Sequence, residues 1–322
     1  MSFKYINPGY AKLLDVVGNS SYLNQQAYDT NTSRTGASYK TYIYTYPNYI
    51  KFRTAHDTGD LWIKCDAFLN SSNYPYIRHL GEYRGTSSFY NGLYCDNSSS
   101  TVTYNFCFSG SVTNLVSFAS YDENLESIVG LRRNAINTFL LHLHYGDSSS
   151  GYIELNINNK KNWKVAGSVT AIDTARIVIG SYNLPISSII VSDEEINPNE
   201  RVIALPVSNT ITDFESLPSG IYTADTASEA LLQSVNTTSL VNEYGSDAQV
   251  TGIALIGNPA YEVDDVIGSL TAITKQNGVV TDHDKITLLT DSDAMIVSSF
   301  ALPTDTTVAD LANYQFGWRA EE

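Results

Sequence analysis

The sequence predicts an all-β protein, because its central part alternates apolar and polar residues and because polar turn clusters separate the alternating segments. Phe139 and Leu141, for example, would point to one side of a strand, while His142 and His144 would point to the other. Alternation with a period of two is typical of half-buried antiparallel strands. Turn clusters such as NSSNYP, GTSS and GDSSSG recur between these segments, as in a β-sandwich.

Strands are predicted at the spacing of a β-sandwich throughout residues 39–205. Their predicted bounds are 41–46, 49–53, 61–69, 76–84, 92–95, 101–108, 115–121, 139–145, 152–158, 163–165, 175–180 and 186–191. From residue 206 onward tyrosine becomes rarer and short apolar runs appear, which predicts a second, smaller β-rich domain at 206–322. Within it, the segment ASEALLQSV at 227–235 favours a short helix. Residues 1–38 are interpreted either as an N-terminal arm or as the first strand of the sandwich.

The composition indicates a folded chain with polar, weakly charged surfaces. Charged residues make up only 16% of the chain, against about 25% in an ordinary domain, and tyrosine is abundant. The formal net charge of −15 would repel nucleic acid and anionic membranes. No apolar run reaches the ~20 residues of a membrane span. We therefore expect no nucleic-acid partner and no membrane insertion.

The cysteines and the N-terminus bear on where the protein works. Cys65, Cys95 and Cys107 are too few, and odd in number, for a disulfide framework, and Cys65 alternates with apolar residues like a small core residue. The N-terminus has no apolar segment of signal-peptide length, although the composition is that of a surface protein. One explanation is a phage or prophage structural protein, which is made in the cytoplasm and released by lysis. The competing explanation is a signal sequence removed from the chain.

Six motifs, in their order and spacing, resemble the laminin-G-like, concanavalin A-like jelly roll. They are LWIKCDAFL at 61–69, GLYCDNSSSTVTYNFCF at 92–108, FLLHLHYGD at 139–147, GYIELNINNKK at 151–161, RIVIGSYN at 176–183 and IIVSDEEI at 189–196. The resemblance covers roughly residues 40–200 and implies a fold used mostly to hold carbohydrate or protein. Phe139 stands where the family has tryptophan, and Asn158–Asn159 where it has an Asp-Gly turn. Both departures weaken the inference of a ligand from the family.

A second resemblance concerns the C-terminal domain. DFESLPSGIYTAD at 213–225 is similar to the opening of knob domains on phage tail fibres. Together with the N-terminus, this resemblance implies a tail-associated protein located on a virion or another extracellular surface.

Carbohydrate binding needs aromatic faces next to groups that hydrogen-bond hydroxyls, and one hairpin offers both. The predicted ligand-binding residues are Tyr74, Tyr76, Arg78, His79, Tyr83, Arg84 and Tyr90. Tyrosine suits recognition surfaces because it supplies contact area at low entropy cost and keeps a polar tip. The alternative is that these tyrosines fill the sandwich core or a subunit interface.

The sequence offers little catalytic or metal chemistry. It has no G-x-S-x-G elbow, no phosphate-binding glycine loop, no H-E-x-x-H and no E-x-D-x-E strand, so no catalytic residue is predicted. His142 and His144 have a spacing that lets two imidazoles reach one metal, with Asp147 as a third ligand, but we interpret them as packing or surface residues. No metal site or cofactor is predicted. Calcium is the cation that acidic turns such as 122–126 and 263–265 would suit.

The first hypothesis is therefore a non-enzymatic, phage or prophage tail-associated binding protein that recognises a cell-surface glycan or protein. Its other partners would be virion or surface-assembly subunits. Because single contacts are weak, we expect a homo-oligomer such as a trimer. The alternatives are a polysaccharide-degrading glycoside hydrolase on the same sandwich and a pure virion scaffold or decoration protein.

Overall fold

The computed structural model of the chain divides into two compact units, Met1–Ile203 and Ala204–Glu322. It describes residues 4–7, 15–16, 24–27, 41–44, 48–51, 59–69, 77–84, 88–98, 100–120, 122–170, 176–181, 185–200, 202–203, 205–216, 222–257, 259, 267–288 and 296–322. Nearly all regular structure in these residues is β, so the all-β prediction is confirmed.

The first unit contains strands β1 to β15 and one short helix. The strands are β1 (Lys4–Asn7), β2 (Asp15–Val16), β3 (Asn24–Ala27), β4 (Thr41–Tyr44), β5 (Asn48–Lys51), β6 (Asp60–Leu69), β7 (Ile77–Arg84), β8 (Ser88–Ser98), β9 (Thr101–Phe108), β10 (Ser111–Ala119), β11 (Ala135–His144), β12 (Tyr152–Ile157), β13 (Lys161–Ala166), β14 (Arg176–Ser181) and β15 (Pro185–Ser192). The helix is α1 (Leu125–Val129), which ends at Gly130 in the left-handed conformation that glycine favours.

These strands form the two antiparallel sheets of a jelly-roll sandwich. The first sheet has the order β13-β12-β11-β6-β15-β4-β3, and β1 also pairs with β15. The second sheet has the order β10-β9-β8-β7-β14-β5-β2. The described strands within residues 1–38, β1, β2 and β3, pair inside these sheets.

The core lies between the two sheets and follows from the alternation of their strands. Phe139, Leu141 and Leu143 of β11 are buried there, as are the alternate residues of β6 and β12. The second sheet contributes residues such as Leu80 and Phe106. Each fully buried aliphatic or aromatic side chain contributes roughly 1.5–3 kcal/mol relative to exposure. The side chains between these positions therefore lie on the opposite face of each sheet.

The Asn158–Asn159 turn between β12 and β13 shows why asparagine stands at this position. Both residues have a φ of 55°, which a type I′ turn requires and asparagine tolerates better than most residues. The Asn158 side chain also joins neighbouring segments, because its Nδ2 donates to the Gly130 carbonyl at 2.7 Å and its Oδ1 accepts from the Thr138 amide at 2.8 Å. The turn is thus tied to β11 as well as to its own hairpin.

The second unit is built around a five-stranded antiparallel sheet of order β16-β19-β24-β21-β22. Its strands are β16 (Val207–Thr212), β17 (Glu215–Ser216), β18 (Tyr222–Thr223), β19 (Ala230–Val235), β20 (Gly252–Gly257), β21 (Ser269–Gln276), β22 (Val279–Thr287), β23 (Ile296–Ala301) and β24 (Tyr314–Glu321). Strands β17 and β18 pair with each other, as do β20 and β23. The helical segments are α2 (Thr237–Tyr244) and a 3-10 turn at Asp310–Asn313.

One local expectation needs correction. The helix expected at 227–235 is wrong, since this segment forms β19 between β16 and β24, and the helix α2 follows it. Pairing on both sides outweighs the modest helix propensity of its alanine and leucine residues. The acidic turn at 122–126 runs into α1, while the turn at 263–265 lies outside the described residues. Among the described helices, none is long and apolar enough to cross a membrane.

A buried polar cluster links the two sheets at one end of the sandwich. The carboxylate of Glu82 accepts hydrogen bonds from the Tyr145 hydroxyl at 2.6 Å and from the Asn91 Nδ2 at 2.8 Å. Asn91 also donates to the Thr170 carbonyl and accepts from the Ser109 amide. Burial raises the pKa of Glu82, and the two hydrogen bonds oppose this shift in part. The cluster is structural, because its hydrogen-bonding groups are paired within the fold.

Replacing Tyr145 by phenylalanine should destabilise the protein more at pH 8 than at pH 4.5. The pKa of Glu82 is higher in the folded protein than its usual carboxyl value. The stabilisation that protonated Glu82 contributes is therefore complete below the usual carboxyl pKa, and it is lost as the pH rises through the pKa of the folded protein. The Tyr145 hydroxyl stabilises the ionised form, and its loss should cost about 1.5–3 kcal/mol where Glu82 is charged. Urea midpoints at the two pH values measure the difference. Tyr152→Phe is the matched control, and an equal loss for Tyr145→Phe at both pH values would contradict the assignment.

Gly81 and Gly92 face each other across β7 and β8, and their backbones approach too closely for any side chain. A Cβ at Gly92 would overlap the Leu80 carbonyl oxygen, and its φ of 129° is strained for other residues. We expect Gly92→Ala to lower the free energy of unfolding by at least about 2 kcal/mol. Gly59→Ala is the control, because Gly59 has a φ of 90° but open space around it. Equal urea midpoints for the two variants would show that the close approach is absent.

Candidate functional site

The outer face of the first sheet carries the side chains of β6, β11, β12 and β13 that point away from the core. The strand register sets them in two rows across the sheet. One row consists of Trp62, His142, Glu154 and Lys164, and the other of Asp60, His144 and Tyr152. We call Asp60, Trp62, His142, His144 and Tyr152 the imidazole cluster.

Ring contacts hold the imidazole cluster together. Trp62 stacks on His142 with ring centroids 3.7 Å apart, and His144 stacks on Tyr152 at 4.8 Å. The His142 ring also meets Tyr152 edge to face at 5.1 Å. The Lys164 Nζ lies 3.5 Å from the centre of the Tyr152 ring, in a cation–π contact. Each imidazole therefore has an aromatic neighbour that fixes its orientation.

Asp60 joins the two histidines through one oxygen. Its Oδ1 lies 2.6 Å from His142 Nε2 and 2.7 Å from His144 Nδ1. Burial acts to raise the pKa of Asp60, but hydrogen bonds from His144 and His142 outweigh it, so the pKa lies below its usual value. An ionised carboxylate only accepts hydrogen bonds, so both ring nitrogens must donate. In the neutral rings this leaves His142 Nδ1 and His144 Nε2 without a hydrogen.

The two histidines differ in environment. The His142 side chain is 6% exposed and that of His144 is 34% exposed. Burial lowers the pKa of His142, against the opposing effect of Asp60. Its Nδ1 is buried without a hydrogen-bond partner in the described part of the chain. His142 is therefore an anchored, neutral ring, and His144 is the ring that solvent reaches.

Polar groups border the cluster on β12 and β13. Glu154 accepts a hydrogen bond from the Asn162 Nδ2 at 2.7 Å, and its other oxygen lies 3.7 Å from the Lys164 Nζ. The Lys164 side chain is 53% exposed, and an exposed ion pair of this kind contributes only about 0–1 kcal/mol. A ligand could therefore redirect Lys164 and uncover the Tyr152 ring at little cost.

The described members of the predicted ligand-binding set lie elsewhere, on β7 and β8 of the second sheet. His79 is half-buried, with its ring 5.3 Å from that of Tyr94, and Tyr90 is half-buried on β8. The remaining predicted residues are not described at side-chain level: Arg78, Tyr83 and Arg84 have only their backbone described, on β7, and Tyr74 and Tyr76 lie outside the described residues. Their grouping into one site stays a prediction.

Sequence reasoning missed Asp60 and Trp62. Asp60 lies 82 residues before His142, and the alternation within a strand does not reveal which strand it pairs with. The expected third partner of the histidines, Asp147, instead accepts hydrogen bonds from the amides and hydroxyls of Ser149 and Ser150 in the following turn. The one available signal was the outward position of Trp62 in LWIKCDAFL, which matches the outward position of the histidines.

Comparisons with known proteins concern the fold. No family model matches the chain, and no curated protein does. Among solved structures, the endo-β-1,4-glucuronan lyase from the fungus Trichoderma reesei is similar, with 10% identity and a TM-score of 0.41 over 61% of this chain and 98% of the other. A toad ovary galectin has 8% identity and a TM-score of 0.29 over 46% and 98% of the two chains. The carbohydrate-binding module CBM66 from Bacillus subtilis has 11% identity and a TM-score of 0.28 over 51% and 88%. Likeness at this level extends to the β-sandwich and not to the site.

Proposed function

We propose that the first unit is a binding module that holds a neutral glycan on the outer face of its first sheet. The observation that carries this proposal is the imidazole cluster, in which aromatic rings and hydrogen-bonding groups share one partly exposed surface. Sugars present apolar C–H surfaces together with many hydroxyls, so their sites combine aromatic side chains with a few placed polar groups. Tyr152 and Trp62 supply the aromatic side chains, and Glu154, Asn162 and Lys164 supply the polar groups.

The strands supporting this surface favour recognition. Strands β6, β11 and β12 each have a hydrogen-bonded neighbour on both sides, and their inward side chains are fully buried. Stacking contacts already orient the rings of the cluster. A site whose side chains are positioned beforehand loses less entropy on binding. The surface can therefore bind a flexible, hydroxyl-rich ligand without ordering itself first.

Charge selects the class of glycan. The whole chain carries a net charge of −15, which repels polyanions at a distance. Around the imidazole cluster, the carboxylates of Asp60 and Glu154 are accompanied by one ammonium group, that of Lys164. Lys64 and Asp66, farther along the same face of β6, are buried and pair with each other. A neutral glycan meets no such repulsion, whereas a polysaccharide rich in uronic acid or sulfate does.

One observation favours a second candidate, a polysaccharide-degrading enzyme. The contact of Asp60 with His144 Nδ1 leaves Nε2 as a partly exposed acceptor, an arrangement that orients a general base. A glycoside hydrolase would use two carboxyl groups, and Asp60 and Glu154 are the described acidic groups next to the imidazole cluster. Incubating candidate glycans with the protein and measuring reducing ends and the ultraviolet absorbance of unsaturated sugar ends would detect hydrolase and lyase products. Sustained turnover that is lost in Asp60→Asn would replace the binding proposal.

The biological setting stays a prediction from the sequence. Location on a virion or another extracellular surface, contact with tail or surface subunits and assembly into a homo-oligomer such as a trimer rest on the composition and on the motif at 213–225. A cell-surface protein as ligand and a pure scaffold role are the alternatives to glycan binding. Multivalent assembly would strengthen weak single sites.

An array of neutral and uronate-containing glycans tests the proposal. We expect wild-type protein to retain neutral glycans, and Trp62→Ala and Tyr152→Ala to weaken binding at least tenfold, since losing an aromatic anchor costs about 1.4 kcal/mol or more. The matched control is Tyr90→Ala on β8, which should bind like wild type. Circular dichroism checks that each variant is folded.

Two results would overturn the proposal. Preferential retention of uronates would contradict the charge argument. Loss of binding in Tyr90→Ala, with normal binding in Tyr152→Ala, would move the site to the second sheet, where the sequence predicted it.

A further inference from the structure

We infer that Asp60, His142 and His144 bind one divalent transition-metal ion, for which zinc is the best match. The donor atoms of these three residues all lie within 4.8 Å of one another. This inference does not depend on glycan binding. It also differs from the sequence-based prediction of no metal site, which interpreted His142 and His144 as packing or surface residues.

The geometry requires small movements of the side chains and a change of tautomer in both rings, because the nitrogens that face Asp60 carry hydrogens in the metal-free protein and a ligating nitrogen carries none. Zinc binds imidazole nitrogens at about 2.0–2.1 Å and carboxylate oxygens at about 2.0–2.2 Å, so tetrahedral ligand atoms lie roughly 3.3 Å apart. The two nitrogens now lie 2.6 and 2.7 Å from Asp60 Oδ1. Side-chain rotations that separate each pair by less than about 1 Å open the required space. The paired backbones of β6 and β11 need not move.

The donor set selects the class of metal. Two imidazoles and one carboxylate suit zinc and neighbouring transition metals, whereas calcium and magnesium prefer oxygen ligands alone. Three protein ligands leave a fourth position open to water or to a ligand. No thiolate competes on this face, because Cys65, Cys95 and Cys107 are all buried.

The surroundings fix the ligands independently of Asp60. His142 stacks on Trp62 and His144 stacks on Tyr152, so each ring keeps its direction without the carboxylate. The register of β6 with β11 places Asp60 directly opposite His144. Exposure of 38% for the Asp60 side chain and 34% for that of His144 gives an ion access from solvent. Ligands held by rigid strands and packed rings make a preorganised site.

The competing interpretation is a hydrogen-bonded cluster without a metal. An ionised Asp60 with two neutral histidines already satisfies the carboxylate oxygen that they share, so the contacts alone do not require an ion. The two interpretations differ in what happens when zinc is offered.

Zinc titration of the full chain, stripped with a chelator and then competed against a chromophoric indicator, tests the inference. We expect one zinc per chain at this site. Asp60→Asn keeps the size of the side chain, and His144→Phe keeps the stack on Tyr152 while removing the nitrogens. Each should weaken binding at least about 100-fold, because even residues that only support a ligand account for 10–100-fold. His283→Ala, whose ring stacks on Phe300 in the second unit, is the control and should bind like wild type.

Cobalt supplies a second readout that does not depend on affinity. Co²⁺ should give visible absorption bands with wild-type protein and His283→Ala, and none with folded His144→Phe. Millimolar calcium should not displace zinc. The inference is overturned if wild-type protein binds no more zinc than the Asp60→Asn variant, if His144→Phe keeps wild-type affinity, or if calcium takes the same site.

Discussion

The antiparallel pairing of β6 with β11 is the constraint on which the rest of the structure depends. One register places Leu61 and Leu143 in the core and, on the other face, sets Asp60 opposite His144 and Trp62 opposite His142. Because side chains alternate, a slip of one residue would expose the apolar set and bury the polar one. The burial of many aliphatic side chains, at roughly 1.5–3 kcal/mol each, therefore also holds the outer-face groups in place. The same strand pairing therefore positions both the core and the candidate site.

Glu82 and Asp60, two carboxylates of the first unit, are both matched with hydrogen-bond donors, but in different surroundings. Glu82 meets the hydroxyl of Tyr145 and the amide of Asn91 between the sheets, and Asp60 meets two imidazoles on the outer face. The consequences differ with exposure. The Glu82 cluster is sealed and stabilises one end of the sandwich, whereas Asp60 and His144 reach solvent and can exchange their partners for a ligand or an ion. Accessible donors in a rigid setting are what distinguish the outer face as a candidate site.

Local structure was predicted well from the sequence where the alternation of apolar and polar residues is strong. The pairing partners of the strands were predicted poorly. Strand β9 was predicted at 101–108 and lies at Thr101–Phe108, since nearly every second residue there is apolar. The segment 227–235 was assigned to a helix because local propensity carries no information about the two strands that pair with it. The position of Asp60 beside the histidines was not predicted, because strand periodicity fixes which face a residue occupies but not which distant strand lies beside it.

Nitrogen-15 NMR of the histidine rings in the metal-free protein at pH 8 tests the central claim most directly. If the register brings Asp60 between the two rings, neutral His144 carries its proton on Nδ1, the less common tautomer, and His142 carries its proton on Nε2. Both protons should then exchange slowly enough to be observed, and both patterns should change in Asp60→Asn. Rings that average freely between tautomers, or that are unaffected by Asp60→Asn, would contradict the account.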